Sequence, residues 1–143
     1  MARNLVYGKP TWPAMGPYLF RGYFLQQMFA RMFQGGIQSE DAITATPGGT
    51  QAASYQLLAT FNNVTTVATN GDGVCLPKAI AGSRVVIDNN DASHSLNVYG
   101  QLNSGDTING VAGSTAFAQA HAKRVDYICL TKGAWLTSTA SIP

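Results

Sequence analysis

The fold class is decided by residues 74–111, which read VCLPKAIAGSRVVIDNNDASHSLNVYGQLNSGDTINGV. Short apolar runs rich in Val and Ile are separated there by clusters of Asn, Asp and Gly, a texture typical of strands joined by tight turns. Asn109-Gly110 is a favourable two-residue turn sequence, because both residue types adopt positive φ readily. The segment contains no grouping of side chains that could perform chemistry.

The same texture extends over residues 37–143, where hydrophobic residues recur among Thr, Ala, Ser, Asn and Gly. Asn62-Asn63 and Asn70-Gly71 are further predicted turns. Short strands separated by such turns predict an all-β domain, an antiparallel sandwich or barrel. We find no internal repeat in the sequence. The predicted strands are Gln56–Phe61, Thr65–Ala68, Gly73–Leu76, Ser83–Asp88, Ser95–Tyr99, Ala116–Ala120, Arg124–Thr131 and Ala134–Thr137.

Residue alternation predicts which side chains of these strands face the core. In the strand ending at Tyr99, Leu96 and Val98 should face inward and Tyr99 outward. The strand at residues 124–131 is apolar on both faces, since one face carries Val, Tyr and Cys and the other includes Ile and Leu. Such a strand is expected to be covered on both sides. Trp135 is predicted to close the core.

Several short motifs occur in a recognisable order along the chain. They are V-x-L-P at residues 74–77, x-L-x-V-Y ending at Tyr99 and I-N-G at residues 108–110. They lie between G-G-T-Q-A at residues 48–52 and G-A-W at residues 133–135. In this order the motifs resemble a β module of tailed-bacteriophage virion proteins, which include head decoration or cement proteins and head fibres. The resemblance implies a structural component of the particle rather than an enzyme.

Residues 1–36 form a separate compositional unit, which we interpret as an N-terminal anchoring arm. Pro10, Pro13 and Pro17 block a helix in the first part, so this part should be extended or turned. Residues 18–34 could form one short helix, with Pro17 in its first turn and Gly35-Gly36 at its end, or continue as an extended strand. The apolar residues would nearly encircle such a helix, so it must be surrounded by other protein, either its own β domain or another subunit.

Charge is scarce and unevenly placed along the chain. Only 11% of residues are charged, against roughly 25% in an average domain. The net charge is +2, yet residues 1–36 contain four basic residues and no acidic one. Four dispersed cations do not form a nucleic-acid patch, so we expect no direct nucleic-acid contact. The basic arm would suit an acidic protein neighbour.

Targeting signals and cysteines give further bounds. No pattern of a secretory signal is visible, and the most apolar window, residues 18–33, is too short and too interrupted to span a membrane. We therefore expect synthesis in the host cytoplasm and no membrane association.

Cys75 and Cys129 lie in apolar strand-like runs and are predicted to be buried free thiols, although the spacing does not exclude a disulfide.

Enzymatic and metal-binding interpretations find little support in the residues. His94 and His121 have no partner at metal-ligand spacing, and we predict that both are surface polar residues. The turn aspartates, Asp72, Asp88, Asp91 and Asp106, are best explained as residues that accept backbone hydrogen bonds. The run from Asp88 to Asp91 could offer oxygen ligands to calcium but lacks the spacing of a known calcium loop. We therefore predict no catalytic residue, no metal site and no cofactor.

Taken with the resemblance, these features predict a capsid cement or decoration protein on the virion surface, most simply on the head. It would bind the major capsid protein or another virion protein as a homotrimer. The alternative is a fibre, spike or tail-tip module that binds host-surface glycans through exposed loops. The predicted interface residues of the arm are Tyr7, Trp12, Tyr18, Phe20, Arg21, Phe24, Phe29 and Arg31. The candidate exposed loop contacts are Asp88, Asn90, Asp91, His94 and Asn103.

Overall fold

The computed structural model describes residues 38–141. The regular secondary structure in that range consists of β-strands, with no helix. These residues belong to the second of two units into which the chain divides, residues 1–36 and 37–143. The eleven strands are β1 (Ser39–Thr44), β2 (Tyr55–Gln56), β3 (Phe61–Thr66), β4 (Gly73–Cys75), β5 (Arg84–Asn89), β6 (Leu96–Tyr99), β7 (Thr107–Ile108), β8 (Val111–Ala112), β9 (Phe117–Gln119), β10 (Lys123–Thr131) and β11 (Ala134–Ser141).

The first six strands wind as a solenoid-like coil between two sheets. β1, β3 and β5 are parallel neighbours in a seven-stranded sheet, and β2, β4 and β6 are parallel neighbours in a four-stranded sheet. The chain therefore passes from the larger sheet to the smaller one three times in the same sense. Each turn of the coil places equivalent residues side by side, as Glu40, Asn62 and Ile87 are in the larger sheet.

The remaining strands complete both sheets, mainly with antiparallel pairs. β10 lies antiparallel between β5 and β11, and β9 pairs antiparallel with β6. β7 runs parallel to β11 and forms a hairpin with β8. The hairpin turn is Asn109-Gly110, with φ of 52° and 78°. The two-residue turn predicted there is confirmed.

The all-β class is confirmed, but the pairing is mixed, and an antiparallel sandwich or barrel is not confirmed. Five of the nine strand pairs among residues 38–141 are parallel. Asn, Asp and Gly show where a strand ends, but the corner of a coil uses the same residues as a hairpin. The coil also repeats in space although its sequence does not repeat. The predicted short helix at residues 18–34 and the extended arm lie outside the described residues.

Some strand boundaries differ from the prediction in an informative way. Residues 57–60 join two strands, and Asn62-Asn63 lies inside β3 rather than in a turn. Asn62 is buried, and its Nδ2 donates to the carbonyls of Ala59 at 2.9 Å and Val86 at 3.2 Å. Asparagine favours turns when its side chain bonds nearby backbone, but here the amide bridges to a neighbouring strand. β1, β7 and β8 were not predicted.

One hydrophobic core lies between the two sheets. Strands of the larger sheet contribute Ile43, Val64 and Ile87, and strands of the smaller sheet contribute Val74 and Val98. Trp135 is 0% exposed, which confirms its predicted place in the core. Both cysteines are buried and free, as predicted.

The strand with two apolar faces is covered on one face only by the described residues. Tyr127 and Cys129 point into the core, but Leu130 and Leu136, on the opposite face of β10 and β11, are 69% and 47% exposed. Ile128 lies beside Leu136 and is partly buried. The expectation of cover on both sides is thus not met within residues 38–141.

A buried polar network joins β9 to its neighbours inside the core. Gln119 donates from Nε2 to the carbonyls of Ile87 at 2.9 Å and Lys123 at 2.8 Å, and its Oε1 accepts from the Tyr127 hydroxyl at 3.2 Å. Asn89 donates to the carbonyl of His94 at 3.0 Å. Burial raises the pKa of Tyr127 well above its usual range. Because each member has a partner, the network fixes the position of β9 at little desolvation cost.

Candidate functional site

Residues 48–54, here named the cover segment, pack against the four-stranded sheet. Tyr99 alternates with core-facing Val98, so its side chain points away from the core as predicted, and its hydroxyl donates to the carbonyl of Gly49. Gln51 donates from Nε2 to the carbonyls of Gly100 at 2.9 Å and Gly113 at 3.3 Å. Tyr99 is therefore buried even though it faces outward. The G-G-T-Q-A motif supplies the groups that make this cover.

Gly100 and Gly113 allow two stretches of backbone to cross closely beside Gln51 of the cover segment. The amide of Gly100 donates to the carbonyl of Gly113 at 2.9 Å, and the amide of Gly113 donates to the carbonyl of Asp106 at 2.8 Å. A Cβ on Gly113 would lie 2.6 Å from that Asp106 oxygen, so only glycine fits there. The crossing closes residues 100–113 into a loop that carries the β7–β8 hairpin.

A polar cavity of about 260 Å³ lies where this loop meets the cover segment. The candidate loop residue Asn103 lines it, with positive φ of 59°. Asp106 is 5% exposed, and its Oδ2 accepts the backbone amide of Ala79 at 2.9 Å. The full lining is Gln51, Gln101, Asn103, Gly105, Asp106, Thr107, Ala112, Gly113 and Ser114.

A second depression, on the larger sheet, holds the candidate contacts Asp88 and Asn90. Its polar side chains bond one another across successive strands: Asn63 donates to Asp41 at 2.6 Å, and Asn90 donates to Asn63. Asp88 is bound at both oxygens by Arg124, once at 2.7 Å. The depression is lined by Ser39, Glu40, Asp41, Phe61, Asn62, Asn63, Val86, Asp88 and Asn90.

The edge strands of the two sheets are linked beside this depression. The hydroxyl of Tyr55 in β2 donates to the carboxylate of Glu40 in β1. That hydrogen bond raises the pKa of Tyr55, and desolvation and the negative charge of Glu40 add to the effect. The carboxylates of this region are thus engaged by protein groups. No cluster of three or more His, Cys, Asp or Glu side chains able to hold a metal occurs among residues 38–141.

Asp91 and His94, two more candidate contacts, build a loop of their own after β5. Asp91 Oδ1 accepts the backbone amides of Ser93 at 2.9 Å and His94 at 2.8 Å, and Oδ2 accepts the amide of Val67 at 3.2 Å. The His94 ring lies 3.1 Å from the same carboxylate. These backbone hydrogen bonds lower the pKa of Asp91 to about 2.

Asp72 holds the turn that leads into β4 in a similar way. Burial on its own would raise the pKa of this carboxyl. Hydrogen bonds from the Thr69 hydroxyl at 2.8 Å and the Thr69 amide at 3.0 Å, together with those from the backbone of Ala68 and Gly48, outweigh burial and lower the pKa. Asp72 and Asp91 are turn acceptors, as predicted. Asp88 was predicted in a turn but lies in β5.

We expect the hydrogen bonds to Asp91 to make stability depend on pH in the acid range. A folded-state pKa of about 2, below the ordinary 3.8, means that the contribution is present above about pH 4 and is lost as the pH falls toward 2. Asp91→Asn should therefore lower the urea midpoint at pH 6, and its difference from the unaltered protein should shrink toward pH 2. Midpoints measured across this range check the prediction.

His94→Ala is the matched control for Asp91→Asn. It removes the ring but leaves the backbone amides that are the main cause of the low pKa, so the acid dependence should persist. A difference between Asp91→Asn and the unaltered protein that stays constant or grows toward pH 2 would contradict the assignment.

The structure thus separates the five candidate loop contacts into three places. Asn103 lines the polar cavity, Asp88 and Asn90 line the depression on the larger sheet, and Asp91 and His94 form the loop after β5. The eight arm residues proposed as interface contacts lie outside the described residues. His121 is exposed, as predicted, and His94 is half-buried. Sequence reasoning missed the cavity residues Gln51, Gln101 and Ser114, because only the loop crossing brings them together.

Comparison with known families and proteins gave no match. No family model matches the chain, and no curated protein matches it. Within residues 38–141 there is no helix of a length and apolarity that could cross a membrane.

Proposed function

We propose that this chain is a bacteriophage virion structural protein, a capsid cement or decoration protein that binds the head shell as a homotrimer. The ordered motifs between residues 48 and 136, which resemble virion β modules, support this proposal. The protein would be made in the host cytoplasm and reside on the particle surface. Its partners would be its own copies and the major capsid protein or another virion protein.

The observation that carries the proposal is the pair of leucines on the outer face of β10 and β11, which no residue among 38–141 covers. Leu130 and Leu136 are exposed, and Ile128 lies between Leu136 and Arg84 in the sheet. A sheet face with exposed leucines is stabilised when another protein surface removes it from water. With few charged residues on the chain, these features favour assembly over an isolated existence.

In this proposal the mechanism is passive. The aromatic residues of the arm would bury themselves against neighbouring shell subunits, each contributing about 1.5–3 kcal/mol. A trimer would present three arms at once, so each further contact forms at a high effective concentration. The four basic residues of the arm would favour an acidic shell surface. The gain would be resistance of the shell to internal pressure from the packaged genome.

Copy number on purified particles tests the proposal. A cement protein should be present in hundreds of copies, in a fixed ratio to the major capsid protein, and should map to the head. Quantitative mass spectrometry of intact particles gives the ratio, and electron microscopy gives the location. Absence from the particle, or a few copies at the tail, contradicts the cement assignment.

The second candidate function is a fibre, spike or tail-tip module that binds host-surface glycans. The polar cavity lined by Asn103 favours it, because amide and hydroxyl side chains there face a space open to small molecules. A few copies per particle, located away from the head shell, would favour this function over the cement role.

A further inference from the structure

Two polar cavities among residues 38–141, the depression on the larger sheet and the cavity by the cover segment, differ in how their side chains are satisfied. In the depression on the larger sheet, Asn63, Asn90 and Asp88 all bond protein groups. In the cavity by the cover segment, the side chains of Gln101, Asn103 and Ser114 have no hydrogen-bond partner among residues 38–141. Polar groups that line a concave site without protein partners are available to a ligand.

Two further acceptors of the cavity also have no protein partner among the described residues, and like Asn103 and Ser114 they are open to solvent rather than buried and unsatisfied. Asp106 uses Oδ2 for the amide of Ala79, and its Oδ1 has no partner within the described part of the chain. Gln51 donates from Nε2 to backbone carbonyls, and its Oε1 likewise has no partner within the described part of the chain. The cavity therefore combines amide and hydroxyl donors with amide and carboxylate acceptors.

We propose that this cavity binds a neutral carbohydrate unit. A sugar presents several hydroxyls that both donate and accept hydrogen bonds. The lining offers matching groups, namely the side-chain amides of Gln and Asn, a serine hydroxyl and the Asp106 carboxylate. No Lys, Arg or His lines the cavity, and Asp106 would repel an anion, so phosphate and acidic sugars are disfavoured. The volume of about 260 Å³ lies below the roughly 300–1,000 Å³ of typical small-molecule sites and suits a single ring.

The cavity wall is held in place by bonds that leave the free side chains untouched. Ser104 donates from its hydroxyl to the carbonyl of Gln101 at 2.7 Å and accepts the amide of Asp106 at 3.1 Å. Gln51 and the crossing of Gly100 with Gly113 fix the other side. Such preorganisation lowers the entropy that a ligand must overcome on binding.

This inference goes beyond the cement role and does not depend on it, and it deepens the second candidate function by naming its sugar site. A cement protein with a sugar site would let particles adhere to glycans through many weak contacts. Loss of sugar binding would leave particle occupancy unchanged. The two proposals can therefore fail separately.

Solution NMR of the isotopically labelled full-length chain tests the sugar site. Glucose, galactose, mannose, N-acetylglucosamine and rhamnose are titrated singly, with sialic acid and inorganic phosphate as anionic probes. We expect at least one neutral sugar to shift the signals of Gln101, Asn103 and Ser114 in a saturable way. The dissociation constant should be on the order of millimolar, as for a small site with few contacts.

Paired variants separate this site from general surface binding. Gln101→Ala with Asn103→Gly, in which glycine suits the positive φ of residue 103, should raise the dissociation constant at least about tenfold while thermal unfolding stays near that of the unaltered protein. Asn90→Ala, in the self-satisfied depression, should leave sugar binding unchanged. The proposal is overturned if no neutral sugar gives saturable shifts, if an anionic probe binds more tightly, or if Asn90→Ala weakens binding as much.

Discussion

Deleting residues 1–36 is expected to abolish particle binding while the β domain remains folded and soluble. The core residues that the structure describes come from both sheets and lie between residues 43 and 135, so the truncated chain keeps all of these. What it removes is the aromatic and basic set that we propose as the shell contact, including Trp12 and Phe24. Particles lacking the native protein are incubated with the truncated chain, and bound protein is quantified against the capsid protein. The chain's circular dichroism shows whether the strands persist.

Point variants in the full chain distinguish anchoring from a loss of folding. Trp12→Ala with Phe24→Ala should raise the dissociation constant for particles by at least about a hundredfold, since the two aromatic contacts that we propose would each contribute about 1.5–3 kcal/mol. Leu5→Ala, which removes a smaller side chain of the same arm, is the matched control and should raise that constant far less. Normal occupancy by the truncated chain would refute the anchoring role.

Gly49→Ala is expected to destabilise the β domain by about 3 kcal/mol or more. A Cβ at this position would lie 1.8 Å from the carbonyl oxygen of Gly71, and the residue has φ of +31°. Both partners are backbone, so neither can rotate away, and the cover segment would have to move. That movement would also break the hydrogen bonds that Gly49 accepts from Tyr99 and that Gln51 donates to Gly100. Thermal unfolding should shift downward by about 10 °C.

Gly48→Ala is the matched control, one residue away in the same segment. Gly48 also has positive φ, +80°, but a Cβ there would have nothing within 4 Å. Its substitution should cost only the conformational penalty of about 1–2 kcal/mol. Equal losses for the two variants would show that the close approach to Gly71 does not matter. In that case the cover segment would not be held as tightly as its contacts indicate.

The sequence by itself determined the strand-rich class, several turns and the inward faces of individual strands. Asn109-Gly110 forms the predicted hairpin turn, and Leu96 and Val98 are buried as their alternation predicts. The burial of Trp135 and of both thiols also followed from local pattern. These features depend on torsional preference and on the two-residue period of a strand. Both are properties of neighbouring residues, so a single chain segment contains the information.

Only the tertiary structure decided which strands pair and what lies over them. The parallel pairing of β3 with β5 joins residues more than twenty positions apart in sequence. The turn residues between these strands are compatible with parallel or antiparallel pairing. Tyr99 was placed on the correct face, but its burial depends on the distant Gly49 segment. The polar cavity exists because Gly100 and Gly113 cross and bring Gln51 beside the loop. Contacts of this kind are set by packing through space, which local preferences do not specify.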